Sequence, residues 1–221
     1  GAASASILYG LETVNKPAKE DCVKLLVDLA LCTGNIKGDA SGLYPLTTGA
    51  NDQGSRDMGC DPRFGPGYSD TSTGIGIEQV AQSIRENDIK AFQIIGDDPS
   101  LSQSKTDNLI EALDKVEFLI VHESFESDLT KSADIVFPIL TFAEKTGTYT
   151  NLERRIHPVR PALGQTTDSD EDWRILSQIA ERMGSEDFKY SSAREVFQEI
   201  RDTIPFYNTT DIETIDSVGQ I

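Results

Sequence analysis

Two apolar runs in this chain stop at polar residues that could hold a ligand. Ala91-Phe92-Gln93-Ile94-Ile95 stops at Gly96-Asp97-Asp98-Pro99, and Phe118-Leu119-Ile120-Val121 stops at His122-Glu123-Ser124. Carboxylates only accept hydrogen bonds, so Asp97 and Asp98 would repel a phosphate and suit a guanine, whose N1–H and exocyclic amine are donors. Glu123 follows Gly96 at close to the interval, about 20 residues, at which dinucleotide sites place an acidic side chain on a ribose hydroxyl. The first turn lacks Gly-x-Gly-x-x-Gly, which disfavours an ordinary nicotinamide or flavin pyrophosphate site. A plainer role stays open for Asp97, as the cap of the helix that follows.

Other chemistries find less support. His122 and His157 are the only histidines and lie far apart, so a metal site or a histidine-based nucleophile lacks partners. His122 therefore reads as a nucleotide-contacting or loop-packing residue. Glu153-Arg154-Arg155 is either a surface ion-pair cluster or an anion contact. There is no Walker loop, Gly-x-Ser-x-Gly elbow or His-Glu-x-x-His.

The elements that must position these residues are successive strands and helices. A helical pattern through Leu109, Ile110, Leu113 and Val116 separates the two runs, and a third run, Ile135-Val136-Phe137, follows a further short helical piece. Continuous apolar runs are what helices covering both faces of a parallel sheet require. The spacing predicts an α/β fold in three layers, with a mostly parallel sheet and helices on both faces, Rossmann-like but without its glycine signature. In such sheets ligands sit in the crevice beyond the carboxyl ends of the strands, where Gly96 and His122 fall.

The rest of the chain supplies boundaries. Ala5–Gly10 reads as a strand. Asp21–Thr33 reads as a helix ended by Gly34, with Cys22 on a core face beside Leu25, Leu26 and Leu29. Residues 34–78 are glycine-rich and too long for a plain connector, yet they hold Tyr44, Phe64 and Tyr68, which argues for an ordered, ligand-shaping region. Ile77–Glu86 is an amphipathic helix. Residues 152–161 form an extended basic segment. Acidic residues from Asp168 to Asp172 open a helix closed by Gly184, and a further helix carries Val196, Phe197 and Ile200. One domain over residues 1–207 and a linker or tail over 208–221 are expected.

Composition narrows the partners. Lys plus Arg number 20 and Asp plus Glu 37, a net charge of −17. That field repels nucleic acid and anionic lipid, so neither is an expected partner. No apolar run approaches the roughly 18 residues of a membrane helix, and no leader pattern is visible. Three scattered cysteines fit a reducing compartment, hence a cytoplasmic setting, and fit no iron–sulfur or zinc spacing.

Three linked stretches resemble the molybdopterin oxidoreductases, most closely the large (alpha) subunit of formate dehydrogenases. Leu29-Ala30-Leu31-Cys32-Thr33-Gly34-Asn35-Ile36 with Gly42-Leu43-Tyr44-Pro45-Leu46 is similar to that family's "LALLTGNIG…G…PLRG". Residues 49–59, followed by Pro62 and Pro66-Gly67-Tyr68, resemble its "NxQGxxDMGxxPxxxPGY" loop. Residues 142–155 resemble "FAEKDGTFTNTERR".

The resemblance implies a bis(molybdopterin guanine dinucleotide) cofactor with molybdenum or tungsten in the full-length protein, and none bound by this portion alone. It places Gly96, Asp97, Asp98, Ser102, Val121, His122, Glu123, Ser124, Thr141 and Asp172 around the guanosine end of one dinucleotide. It brings residues 47–54 toward the pterin and the substrate. The family's formate-anchoring Arg is replaced here within Pro45-Leu46-Thr47-Thr48, which points away from formate. The metal-ligating Cys or selenocysteine, the four-cysteine cluster motif and the carboxy-terminal barrel of the family are not among these residues. The implied partners are therefore the iron–sulfur and barrel domains of the same subunit and electron-transfer subunits, and this portion is not expected to catalyse alone. Two alternatives are a cofactor-less scaffold part of the large peripheral subunit of respiratory complex I, and a stand-alone nucleotide-binding or interaction module.

Overall fold

A computed structural model describes residues 4–10, 16–36, 41–47, 49–70, 74–96, 107–165 and 168–208. At its centre are β3 (Ala91–Ile95), β4 (Phe118–Glu123) and β5 (Ile135–Pro138), parallel and hydrogen-bonded in that order. α4 (Asp107–Leu113) and α5 (Asp128–Ser132) connect them, which makes the two expected βαβ units. β4 runs two residues past its apolar run, so His122 and Glu123 are strand residues and not part of the loop. Ser127 starts α5 with a reciprocal cap: its hydroxyl accepts from the Thr130 amide, while the Thr130 hydroxyl accepts from the Ser127 amide at 2.9 Å.

Strand alternation divides the sheet into two faces. One face presents Phe92 and Ile94 beside Leu119 and Val121, covered by Ala81 and Ile84 of α3 (Ile77–Arg85), by Leu109, Ala112 and Leu113 of α4, and by Leu129 of α5. Val121 and Ala112 have no exposed surface, so this cluster is the main core. Truncating one of its large members is expected to cost about 2–5 kcal/mol. The opposite face carries Gln93, Ile120, His122, Ile135 and Phe137. Beside Phe137 lies α6 (Asp172–Arg182), whose Ile175 is buried. Helices thus lie on both sides of a parallel sheet, the α/β class read from the sequence.

The remaining strands form two small sheets. β1 (Ser6–Tyr9) pairs in parallel with β2 (Gly42–Pro45), and β6 (Gly147–Thr150) pairs antiparallel with β7 (Ile156–Val159). α1 spans Lys16–Cys32, starting before the expected Asp21, and ends where Gly34 adopts φ +73°. Its buried line runs through Ala30, whereas Leu25 and Leu29 are 67% and 53% exposed. The expected core face at Leu25 and Leu29 is therefore incorrect. The helix is apolar on more than one side, and periodicity could not choose between them. Cys22 itself is half-buried.

The glycine-rich region contains β2, α2 (Asp52–Asp57) and a 3-10 turn at Pro66–Tyr68. Gly59 sits at φ +83°, and a Cβ there would come within 2.7 Å of the Gly65 and Pro66 backbone, so only glycine fits. α7 (Ala193–Thr203), capped by Ser192, leads into a 3-10 turn at Pro205–Tyr207. Phe197, Ile204 and Tyr207 pack on Ile156 as a second core. Of the expected tail, residues 209–221 lie outside the described residues.

Candidate functional site

The carboxyl ends of β3, β4 and β5 share one rim. Ile95 is in register with His122, the Gly96 amide donates to the His122 carbonyl at 2.9 Å, and the Ile139 amide donates to the Glu123 carbonyl at 3.2 Å. Gly96 turns the chain away at φ +62°, a backbone angle that calls for glycine, and among the described residues a Cβ there would meet only Ile139 at 3.8 Å. Asp97, Asp98 and Ser102 lie outside the described residues.

His122 is fully buried. Its Nε2 stands 2.7 Å from the Gln93 amide nitrogen, a donor, so Nε2 accepts and the neutral ring carries its proton on Nδ1. Burial lowers the His122 pKa from 6.5, and the charge of Asp172 opposes that shift only partly. Nδ1 has no partner among the described residues, nor does the buried Oδ1 of Asp172. Asp172 arrives at the rim because residue 170 continues the sheet beyond β5. The Leu140 amide donates to the Asp170 carbonyl at 3.1 Å, the Asp170 amide to the Pro138 carbonyl at 3.2 Å, and α6 starts two residues later. The other oxygen of Asp172 is held by Lys145.

The other predicted residues are placed as follows. Glu123 turns its carboxylate onto the Ser124 amide at 2.8 Å, and the Ser124 hydroxyl donates to the Leu140 carbonyl at 3.3 Å. Thr141 donates both its amide and its hydroxyl to Glu144, at 3.0 and 2.8 Å. Val121 points its side chain into the core, so any part it takes at the rim is through its main chain. Beside the rim a cavity of about 410 Å³ is bounded by Glu123, Ser124, Phe125, Thr130, Lys131 and Pro138. Phe125 and Phe142, which follow β4 and β5, are 72% and 77% exposed.

Sequence reasoning missed Gln93, Glu144 and Lys145, the partners of His122, Thr141 and Asp172. Gln93 carried a signal, as the one polar residue inside an apolar strand run. Lys145 was hidden because Asp172 is 27 residues away, and Glu144, three residues from Thr141, sits in a turn without a periodic pattern.

A second polar cluster gathers around Asp57, which is 1% exposed. Its Oδ1 accepts from Gln53 Nε2 at 2.8 Å and the Tyr68 hydroxyl at 2.8 Å, with Arg154 Nη1 at 3.5 Å; its Oδ2 accepts from the Tyr207 hydroxyl at 3.0 Å. Arg154 thus joins Asp57, and Arg155 pairs with Glu153 at 3.5 Å. Burial raises the Tyr207 pKa above the usual phenol range.

The family model for molybdopterin oxidoreductases matches residues 2–182. The chain belongs to this family. It is 34% identical to the F420-dependent formate dehydrogenase subunit alpha of Methanocaldococcus jannaschii, over 92% of this chain and 33% of that protein. It is 33% identical to the F420-dependent formate dehydrogenase 2 subunit alpha of Methanococcus maripaludis, over 99% of this chain and 35% of that protein. The NADPH-Fe(3+) oxidoreductase subunit alpha of Geobacter sulfurreducens is 32% identical, over 94% of this chain and 26% of that protein. The chain spans about a quarter to a third of the length of these relatives. This molybdopterin oxidoreductase chain has no group of three or more His, Cys, Asp or Glu able to hold a metal ion among its described residues. Nor is any helix there long and apolar enough to cross a membrane. Family membership implies a molybdopterin cofactor with molybdenum or tungsten.

Proposed function

We propose that this chain is the part of a formate-dehydrogenase-like molybdopterin oxidoreductase that binds the guanosine end of a molybdopterin guanine dinucleotide. One observation carries the reading: a buried donor, His122 Nδ1–H, and a buried acceptor, Asp172 Oδ1, lack partners among the described residues at one strand-end rim. A native fold tolerates few such atoms, and a ligand that pairs them accounts for both. Guanine offers the complement, with N1–H and an exocyclic amine for a carboxylate and O6 or N7 for an N–H donor. The residues present fit the group.

Gly96, Asp97, Asp98, Ser102, Val121, His122, Glu123, Ser124, Thr141 and Asp172 would surround the guanosine. When bound, the cofactor supplies the two-electron chemistry on a small substrate. The chain's own residues orient the nucleotide end. Gln93 holds His122 in the Nδ1–H tautomer, Lys145 holds one oxygen of Asp172 in place, and Glu144 fixes Thr141. The full-length protein would work in the cytoplasm with the iron–sulfur and barrel parts of its own subunit and with electron-transfer subunits; the alpha-subunit names of the relatives support that reading.

Acid hydrolysis of the purified full-length protein, with metal analysis of the same sample, tests this. Guanine nucleotide released in proportion to molybdenum or tungsten is the expected result. Metal and pterin without guanine nucleotide would refute it.

A further inference from the structure

The Asp57 cluster lies apart from the strand-end rim, and nothing in the guanosine reading uses it. Its ligands are Gln53 one turn earlier on the same helix α2, Tyr68 in the first 3-10 turn, and, from far along the chain, Arg154 after β6 and Tyr207 in the last 3-10 turn. Two of the four, Tyr68 and Arg154, hold left-handed backbone angles of +62° and +61° without being glycine. Such conformations cost free energy and persist only where surrounding contacts fix them. Here the Arg154 guanidinium stacks 5.9 Å from the Tyr68 ring centre and 5.8 Å from that of Phe206, and both Arg154 and Tyr68 reach the same carboxylate. A second tie runs parallel to this one. The Asn51 side-chain oxygen accepts from the Thr150 amide at 2.8 Å, and Gly54 packs so closely on Asn51 that a Cβ would lie 2.2 Å from that oxygen. The Thr150 hydroxyl in turn meets the Tyr207 hydroxyl at 2.7 Å.

We propose that Asp57 is a positioning residue that clamps the glycine-rich segment 49–58 to the β6–β7 hairpin, so that this segment is presented in one fixed shape. A six-residue helix is too short to hold itself, and Gly49 and Gly54 widen the backbone states open to this segment, so its shape depends on anchors at its ends. Asp57 anchors the carboxyl end and Asn51 the amino end. Asp57 acts through acceptor geometry: Oδ1 takes three donors and Oδ2 a fourth, a load that a carboxylate carries without a bound partner. That the fixed shape serves the pterin side of the cofactor rests on the cofactor reading above; the clamp itself does not.

Hydrogen exchange on the full-length protein, read by mass spectrometry segment by segment, tests the clamp. Asp57→Ala is expected to speed exchange about tenfold to a hundredfold in residues 49–58, 66–70 and 150–156. Residues 91–96 and 118–123 are expected to stay unchanged. Asp57→Asn is expected to rescue the wild-type pattern, since its oxygen still accepts from Gln53 and Tyr68 and its amide can donate to the Tyr207 hydroxyl. Tyr207→Phe, a milder change, is expected to give a smaller rise confined to the same segments. The proposal is overturned by unchanged exchange in Asp57→Ala, by an equal rise at β3 and β4, or by Asp57→Asn behaving like Asp57→Ala. If Asp57→Ala yields no folded protein, Tyr207→Phe decides, and unchanged exchange there overturns the clamp. Wild-type protein that carries no guanine nucleotide would sink the cofactor reading and leave the clamp standing.

Discussion

Replacing His122 by leucine separates what this residue does for the fold from what it does for a ligand. The imidazole is fully buried, accepts one hydrogen bond from Gln93 at 2.7 Å, and leaves Nδ1 without a partner among the described residues. An unpaired buried polar atom costs about 1–3 kcal/mol, while a net hydrogen bond contributes about 0.5–1.5 kcal/mol. Leucine removes both and keeps an apolar contact with Phe137, whose ring centre lies 5.0 Å from the imidazole. Gln93 is exposed, so water can replace its lost partner. These terms nearly offset. Unfolding free energy without ligand is expected to change by no more than about 1 kcal/mol, against about 2–5 kcal/mol for an ordinary core truncation. Binding responds differently, because a guanine acceptor formerly met by Nδ1–H is left unpaired. That is about 1–3 kcal/mol, a loss of about fivefold to a hundredfold in affinity for GDP. Denaturant titration gives the first quantity and calorimetric titration the second. A stability loss beyond about 3 kcal/mol would mean Nδ1 is satisfied in the free protein, and unchanged GDP affinity would remove His122 from the site. Either result refutes the reasoning.

Two further outcomes follow from the same geometry. Burial depresses the His122 pKa below 6.5, so in acid the unfolded chain takes up its proton before the folded one does. Its contribution is complete above about pH 6.5 and falls as pH drops below that value, so thermal midpoints measured against pH should decline more steeply for wild type than for His122→Leu; parallel curves would contradict this. Gly34→Ala and Gly59→Ala form a matched pair, both at positive φ, but with open space at Gly34 and backbone atoms 2.7 Å away at Gly59. The expected cost is about 1 kcal/mol at Gly34 and about 3 kcal/mol or more at Gly59, by denaturant titration; equal costs would show that the close approach of residues 65–66 relaxes freely.

The central sheet was legible because its strands are continuous apolar runs separated by helical spacing, a local signal. Position at strand ends then located Gly96, His122, Glu123 and Ser124 without any alignment. Thr141 and Asp172 came from family resemblance, because their approach to the rim depends on the pairing of residue 170 with the end of β5, a contact no local pattern encodes. The role of His122 was left between ligand contact and packing. The structure shows why both were reasonable: one nitrogen is satisfied inside the sheet and the other is not. The exposed side of α1 misled for a different reason. The apolar residues of α1 are spread over more than one side, too weak a pattern to say which side is covered, and the choice was made by β2 and Ala30. Asp57 was invisible as a hub because its four partners are up to 150 residues away.

Charge sets the last constraint on how the nucleotide is held. The chain carries −17, and salt at physiological strength screens charges beyond about 8 Å. A phosphate at the rim therefore feels mainly its neighbours. Among the described residues the cations there, Lys145 and Lys131, already pair with Asp172 and Asp128, and Glu123 and Glu144 add negative charge. The Gly96 amide is committed to the His122 carbonyl and so does not face an anion. Affinity must then come from the base and ribose, with the phosphates an electrostatic burden. Guanosine is expected to bind within about threefold of GDP, a gap below about 0.7 kcal/mol. Raising salt from about 50 mM to about 500 mM should improve GDP relative to guanosine as the repulsion is screened. Calorimetric titration of both ligands at both salt levels measures this. GDP binding tenfold tighter than guanosine, and weakening with salt, would reveal a phosphate subsite and overturn the assignment of this rim to the base.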